Sequence, residues 1–388
     1  MSSPTMPSPT PSTGHSEPIL DLLWPASASA GHLRYQALPS GTQPRFVIPS
    51  GSRRLSVAGL LSLRDSSTSR ARRRNKILAA AWGRGWTPGD SISLPSGGIT
   101  GALSDLLNTE VSCAVHLGPP RANRKPVIAA MSDEGEVLAF AKVGVSPLTD
   151  RLVSNEARAL RHIATVPGLI APLLLKESTW SEHPLVVQSP LDRSSSKTDS
   201  AAMRAAQVAL SSSGEGSISH YLKSLNERID ALVLDATEDE SDAPHRLRKL
   251  FDTTAQHPEI DDLTVGPWHG DWRATNAQVT AAGVAVWDWE RFSSAAPRGF
   301  DALHLGLTQH SPSEPNLARL VPWLLQQAPA TLRSFAVDTK PAELVVTLYL
   351  LEIATRYLED GQARSGARLG DVSTWLLPAL ESHLQVTP

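Results

Sequence analysis

Cysteine is nearly absent from this sequence. Cys113 is the single one in 388 residues, so neither an intramolecular disulfide nor a cysteine-based metal cluster can form. Long apolar runs are missing too. Residues 344–351, interrupted by Thr347, fall far short of the ~20 residues needed to span a bilayer. Residues 1–15 hold neither the basic segment nor the apolar core of a secretory signal. A net charge of −3 lacks the excess of Lys and Arg on which general nucleic-acid binding depends. The expectation is a soluble, cytoplasmic protein whose partners include neither membrane nor nucleic acid.

What is present suffices for two or three packed units, with 41% hydrophobic residues. Charge is uneven: residues 1–110 carry 11 Lys/Arg against 6 Asp/Glu, leaving 25 against 33 for the rest. Residues 1–17, rich in Ser, Pro and Thr, read as a disordered tail. Residues 18–110 form an N-terminal extension without an assignable role. Strands are expected at 32–38 and 45–49 and a helix at 71–82. The basic run at 70–76 has no interleaved aromatics for stacking bases and reads as a solvated helix face or a patch against the rest of the protein rather than a nucleic-acid or membrane site.

From residue 111 the texture turns to short β runs, at 112–117, 126–131 and 136–143. The connection 118–125, G-P-P-R-A-N-R-K, is basic. Backbone N–H groups or Asn123, Arg124 and Lys125 could contact phosphates there, although an ordinary basic hairpin loop fits the same residues. On the third strand Leu138, Phe140 and Lys142 share a face by period-two alternation. An ammonium among apolar neighbours needs a partner. Fourteen residues later, Leu152, Glu156, Leu160 and Ile163 fall on one helical stripe, placing Glu156 inward. The alternative is a Lys142 that snorkels to water and a hydrated Glu156.

Residues 268–276 read W-H-G-D-W-R-A-T-N, and 286–290 read V-W-D-W-E. Between them 276–279 can form a strand, 281–283 a turn and 284–287 the returning strand, which would bring Asp288 back beside Asn276. Phosphoryl transfer needs these groups in this order: one carboxylate to receive the hydroxyl proton, then an amide and a second carboxylate for magnesium. Asp271 is the expected base. Asn276 and Asp288 are the expected metal ligands, with Glu290 assisting. Arg273 could stabilise the transferring phosphoryl group, and His269 would order the loop. Strand Lys142 with an inward helix Glu156 would match the ion pair that holds the α- and β-phosphates in enzymes of phosphoryl transfer.

In these two constellations the chain resembles the aminoglycoside phosphotransferase and choline-kinase family of the protein-kinase-like superfamily. The resemblance implies an α+β, bilobal fold. A small antiparallel N-lobe with one helix would span 111–191, and a mainly helical C-lobe 192–388. It also implies an inter-lobe connector near 183–191 whose backbone would hydrogen-bond the adenine, with Leu185 to Gln188 (Val187 and Gln188 among them) as candidates, although a plain buried strand reads the same way. Asp301 would steady the catalytic loop, or cap its own helix. ATP, or GTP, and Mg2+ are the implied cofactors, and the hydroxyl of a small molecule is the implied acceptor. His-Gly-Asp, with no Asp-Phe-Gly or Ala-Pro-Glu segment, favours small molecules over proteins. A non-catalytic nucleotide-binding scaffold is the competing reading, as is a kinase acting on protein.

Further helices are expected at 201–210, 217–234, 243–254, 342–357 and 372–384, the last interrupted at Pro378. Acidic residues cluster at 235–242 and at Glu259, Asp261 and Asp262. These suit an amine-bearing acceptor or a solvated loop.

Overall fold

Strand alternation decides what each side of this molecule's main sheet carries. The computed structural model describes residues 18–386 apart from 29–30, 64–72, 74–75, 78, 83–88, 164–165, 193–198, 237–241 and 367. The expected tail at 1–17 lies outside the described residues, as does most of the basic run at 70–76. Of the helix expected at 71–82, the described Arg73, Lys76, Ile77 and residues 79–82 are helical.

Strands β1 (His32–Leu38), β2 (Phe46–Pro49), β3 (Asp90–Pro95), β4 (Ser112–His116), β5 (Val127–Met131) and β6 (Val137–Val143) precede a two-residue β7 (Leu169–Ile170). With β8 (Leu174–Trp180) and β9 (His183–Gln188) they make an eight-stranded sheet ordered β3-β1-β2-β4-β5-β6-β9-β8, from which β7 is excluded. Phe46 and Val47 of β2 pair with His116 and Val115 of β4. Residues 18–110 therefore continue the sheet of the small lobe.

Helices α1 (Pro18–Leu23), α2 (Arg53–Leu63), α3 (Ile99–Leu107) and α4 (Pro147–His162) accompany the sheet. On one face, Val47, Val115, Ile128, Ala141 and Val187 pack with Ile19 and Leu23 of α1 and Ile99 and Leu103 of α3. The other face carries Phe46, His116, Val127, Phe140, Lys142 and Gln188, aligned across the strands by register. There α2 packs Leu60 and Leu63 on Ile48, Ala114 and Ala129. Helix α4 packs Val153 and Ala157 on Val186. A capping box starts α4: the Thr149 N–H donates to Ser146 Oγ, the Ser146 N–H donates to Thr149 Oγ1, and Pro147 follows the cap.

The large lobe gathers α5 (Ser200–Ser211), α6 (Ile218–Leu234), α7 (Ala243–Ala255), α8 (Phe300–His310), α9 (Leu320–Leu332), α10 (Thr339–Glu359) and α11 (Leu376–Leu384). Helix α10 is buried on all sides from Leu344 to Arg356, as its nearly unbroken apolar run requires of a central helix. The interruption expected at Pro378 does not occur. The helix begins at Leu376, so Pro378 sits in a first turn whose N–H groups have no intrahelical acceptor. Among the described residues no helix is long and apolar enough to cross a membrane.

Candidate active site

Four short strands carry the motif: β10 (Val265–Trp268), β11 (Ala277–Thr280), β12 (Gly283–Val286) and β13 (Ser293–Pro297). β11 and β12 form a hairpin in which Ala277 faces Val286. The Trp287 N–H then donates to the Asn276 carbonyl at 3.0 Å. The hairpin thus brings the start of one strand and the end of the next together, with Asp288 immediately beyond. Asp288 itself has φ 70° and ψ 54°, a left-handed conformation that costs a non-glycine residue roughly 1 kcal/mol or more.

The loop before the hairpin depends on Gly270. Its φ is +84°, and an added Cβ would lie 2.1 Å from the Arg291 carbonyl oxygen. Asp301 Oδ2 and Oδ1 accept the N–H groups of His269 and Gly270 at 2.8 and 3.1 Å. The N-cap of α8 is Gly299, so Asp301 serves the loop rather than its own helix terminus. Burial pushes Asp301 up to about 7 against the pull of those two donors. His269 accepts the Asp271 N–H on Nδ1 and donates from Nε2 to the Trp287 carbonyl. Both nitrogens are therefore committed in the neutral ring, and burial lowers its pKa to about 4. Arg356 of α10 adds a bond to the Gly270 carbonyl.

Asp271 lies at the centre of these contacts. Its Oδ1 accepts Arg273 Nε at 2.7 Å and His304 Nε2 at 3.0 Å, and its Oδ2 accepts Asn276 Nδ2 at 3.0 Å. Burial alone would raise the carboxyl, but Arg273, His304 and Arg356 outweigh it and hold Asp271 well below the usual carboxylate range. His304 hydrogen-bonds Tyr349 through its other nitrogen at 2.9 Å. Its burial depresses it to about 4. Neither His304 nor Arg356 was expected from sequence. His304 had a signal, since it lies three residues after Asp301 on the same helical face.

From the sheet side, Lys142 Nζ lies 2.7 Å from both Glu156 Oε1 and Asp288 Oδ1. Burial opposes its charge, but Asp288, Glu156 and Glu290 more than compensate and keep the ammonium protonated. Burial raises Glu156 while Lys142 acts against that shift; beside an ammonium at 2.7 Å we assign the carboxylate form. Burial would also raise Asp288, yet Lys142 and then Lys125 bring it down to about 2. Lys125, from the β4–β5 connection, is ion-paired with Glu290. Asn155 of α4 donates to the carbonyls of Glu290 and Phe292 at 2.8 and 2.9 Å, fastening that turn to the helix that bears Glu156.

The donor set suits a hard divalent cation. Glu156, Asp288 and Glu290 each offer an oxygen within 4.8 Å of the others, and Asn276 stands beside Asp271. Glu156 Oε2 is buried without a hydrogen-bond partner. All-oxygen ligands of this kind fit Mg2+.

A cleft of about 280 Å³ opens between the sheet and this loop, walled by His116, Val127, Phe140, Lys142, Asn276 and Asp288, with Ser62 and Leu63 at the end of α2. Gln188 also lines it, with its Oε1 buried and unpartnered. Val187 does not. It pairs opposite Ala141, points to the other face and is fully buried in the core there, as period-two alternation demands one residue away from Gln188. Ser189 and Leu191 line the cleft instead. Asn123 is also elsewhere, in a groove that it shares with Arg273 and Thr275. The α2 wall had no sequence signal, because its contact with the cleft depends on β2 joining β4.

No protein-family model matches the sequence, and no curated protein matches it. Solved structures do. A thermostable mutant of the aminoglycoside phosphotransferase APH(4)-Ia aligns over 74% of this chain and 98% of its own, with 12% identity and a TM-score of 0.50. A putative fructosamine-3-kinase from Haemophilus somnus covers 73% and 96%, at 11% identity and a TM-score of 0.46. A choline/ethanolamine kinase family protein from Mesorhizobium loti covers 72% and 88%, at 17% identity and 0.43. The fold assignment rests on the first of these. The chain has the protein-kinase-like fold found in aminoglycoside phosphotransferases.

Proposed function

We propose that the protein is a phosphotransferase that moves the γ-phosphate of ATP to a hydroxyl of a small molecule, with Mg2+ as cofactor. The observation that carries this reading is convergence. Lys142 and Glu156 from the sheet lobe meet Asp288 at 2.7 Å from the ammonium, and Asp271 and Asn276 stand on the same loop. A scaffold that only bound nucleotide would have no use for a hydrogen-bonded base.

In this reading Phe140 and Val127 cover the adenine, and the unpartnered Gln188 Oε1 accepts its exocyclic amine. Lys142 takes the α/β phosphates. Asn276, Asp288 and Glu290 hold the cation, which neutralises the phosphate charge when bound. The acceptor oxygen forms a bond to Pγ as the bond from Pγ to the β–γ bridging oxygen breaks. ADP leaves with the electron pair, and the hydroxyl proton passes to Asp271. Because Arg273 and His304 hold Asp271 strongly acidic, it orients the hydroxyl first and takes the proton only as that oxygen loses electron density.

The test is product formation. Protein with ATP, Mg2+ and a panel of hydroxyl compounds is read by mass spectrometry for a phosphorylated acceptor. Asp271→Asn should lower kcat by about 10²-fold or more with unchanged circular dichroism. ATP binding without turnover of any acceptor favours the scaffold.

A further inference from the structure

One groove shares Thr275 with the cleft and is lined by Arg273, the partner of Asp271, and a second adjoins it at Tyr357. The first, of about 730 Å³, is lined by Arg121, Asn123, Arg273, Gln309, Tyr357 and Arg368 among others. Its described lining holds three arginines and no carboxylate. The second, of about 840 Å³, shares Tyr357 and sets Arg151, Arg228 and Arg364 against Asp235, Glu359 and Asp360. Two of those acids are already engaged. Glu359 receives Arg228 at 2.8 Å, and Asp360 is paired with Arg291.

The acidic run expected at 235–242 does not alter this among the described residues. Asp235 lines the second groove, Asp242 lies 3.6 Å from Arg246, and 237–241 are outside the described residues. Glu259, Asp261 and Asp262 line neither groove.

We propose that the acceptor bears an acidic group, a carboxylate or a phosphate monoester, beside its hydroxyls, and is not a polyamine. This rests on the phosphotransferase reading. A polyamine entering the first groove would meet like charge with no carboxylate to compensate, which disfavours binding. An acid there meets a guanidinium fork. Arg273 is held by Asp271, and Arg368 donates to the carbonyls of Ser311 and Glu314. Arg121 is exposed and has no side-chain partner among the described residues, so its guanidinium is the one available. Asn123, Gln309, Gln362 and Ser365 supply neutral donors and acceptors for hydroxyls.

The experiment saturates the full chain with ADP and Mg2+ and measures binding of gluconate, glucose 6-phosphate, glucose, kanamycin and choline by calorimetry. At least one of the two acids should bind more tightly than glucose, kanamycin or choline. Arg121→Gln should cut that preference over glucose about tenfold or more, the worth of one charge-assisted hydrogen bond, while ADP affinity stays unchanged. Tighter binding of kanamycin or choline overturns the proposal, and so does a protein that binds ADP but neither acid. Failure to bind ADP at all would instead remove the phosphotransferase reading, and this inference with it.

Discussion

Lys142 Nζ sits midway between two carboxylates of different lobes, 2.7 Å from Glu156 and 2.7 Å from Asp288. One ammonium therefore ties helix α4, strand β6 and the turn after the β11–β12 hairpin together. Lys142→Met would leave Glu156, which is 0% exposed, as a buried charge without its partner. The cost should be about 3 kcal/mol or more of unfolding free energy. The double variant Lys142→Met/Glu156→Gln should recover much of that loss, because the uncompensated charge is gone. Urea denaturation of wild type, both single variants and the double variant checks this. Simple additivity would mean that the pair is not energetically coupled.

Lys125 holds Glu290 in the same manner, and both side chains are largely buried. Each ammonium is paired with a carboxylate of the group that could hold a cation, so those carboxylates are already neutralised by lysine. Lys125→Met should expose Glu290 to a free divalent ion. Mn2+ binding without nucleotide, followed by electron paramagnetic resonance, should tighten on the order of tenfold, as one lost charge interaction of about 1.4 kcal/mol predicts. Unchanged Mn2+ affinity would show that Lys125 does not guard the ligand set.

Gly270 tolerates no side chain. With φ +84° and the Arg291 carbonyl 2.1 Å from the position of a Cβ, Gly270→Ala must displace either the loop or the turn after Asp288. Both strain and clash act, so a loss of about 2 kcal/mol or more is expected. Thermal unfolding measures it, and a midpoint within a degree of wild type would contradict the geometry.

Neutral, buried His269 makes stability depend on pH. Its folded pKa is depressed from 6.5 to about 4, so its contribution is complete above pH 6.5 and declines as the pH falls toward 4. His269→Gln keeps a donor but cannot take up that proton. The stability advantage of wild type over the variant should shrink by about 1.4 kcal/mol per pH unit across that interval. Comparing the two proteins cancels the contribution of Asp301, whose raised pKa acts in the opposite direction over an overlapping range. A difference independent of pH would mean that His269 is not held neutral.

The loop and hairpin that gather Asp271, Asn276 and Asp288 were readable in sequence because 269–290 is only 22 residues long and a hairpin of known turn chemistry joins its ends. Lys142 and Glu156 were readable because strand and helix periodicities place each on an inward face. Val187 shows the limit of that reasoning. The strand is where it was expected, and period-two facing sends the Val187 side chain to the core and that of Gln188 to the cleft, but facing says nothing of the backbone groups the connector was expected to offer adenine. His304 and Arg356 were invisible as partners of Asp271 and Gly270, since α8 and α10 reach the loop only through packing of the large lobe.

By itself the sequence determined the groups on offer: carboxylates, an amide and a lysine in a fixed order, each with a local period that sets its direction. Tertiary structure alone decided that residues 18–110 extend the same sheet and bring Ser62 and Leu63 to the cleft. It alone decided that arginines line the two grooves that adjoin at Tyr357. Those outcomes depend on pairings between residues far apart in the chain, and no local period records which distant surfaces will meet.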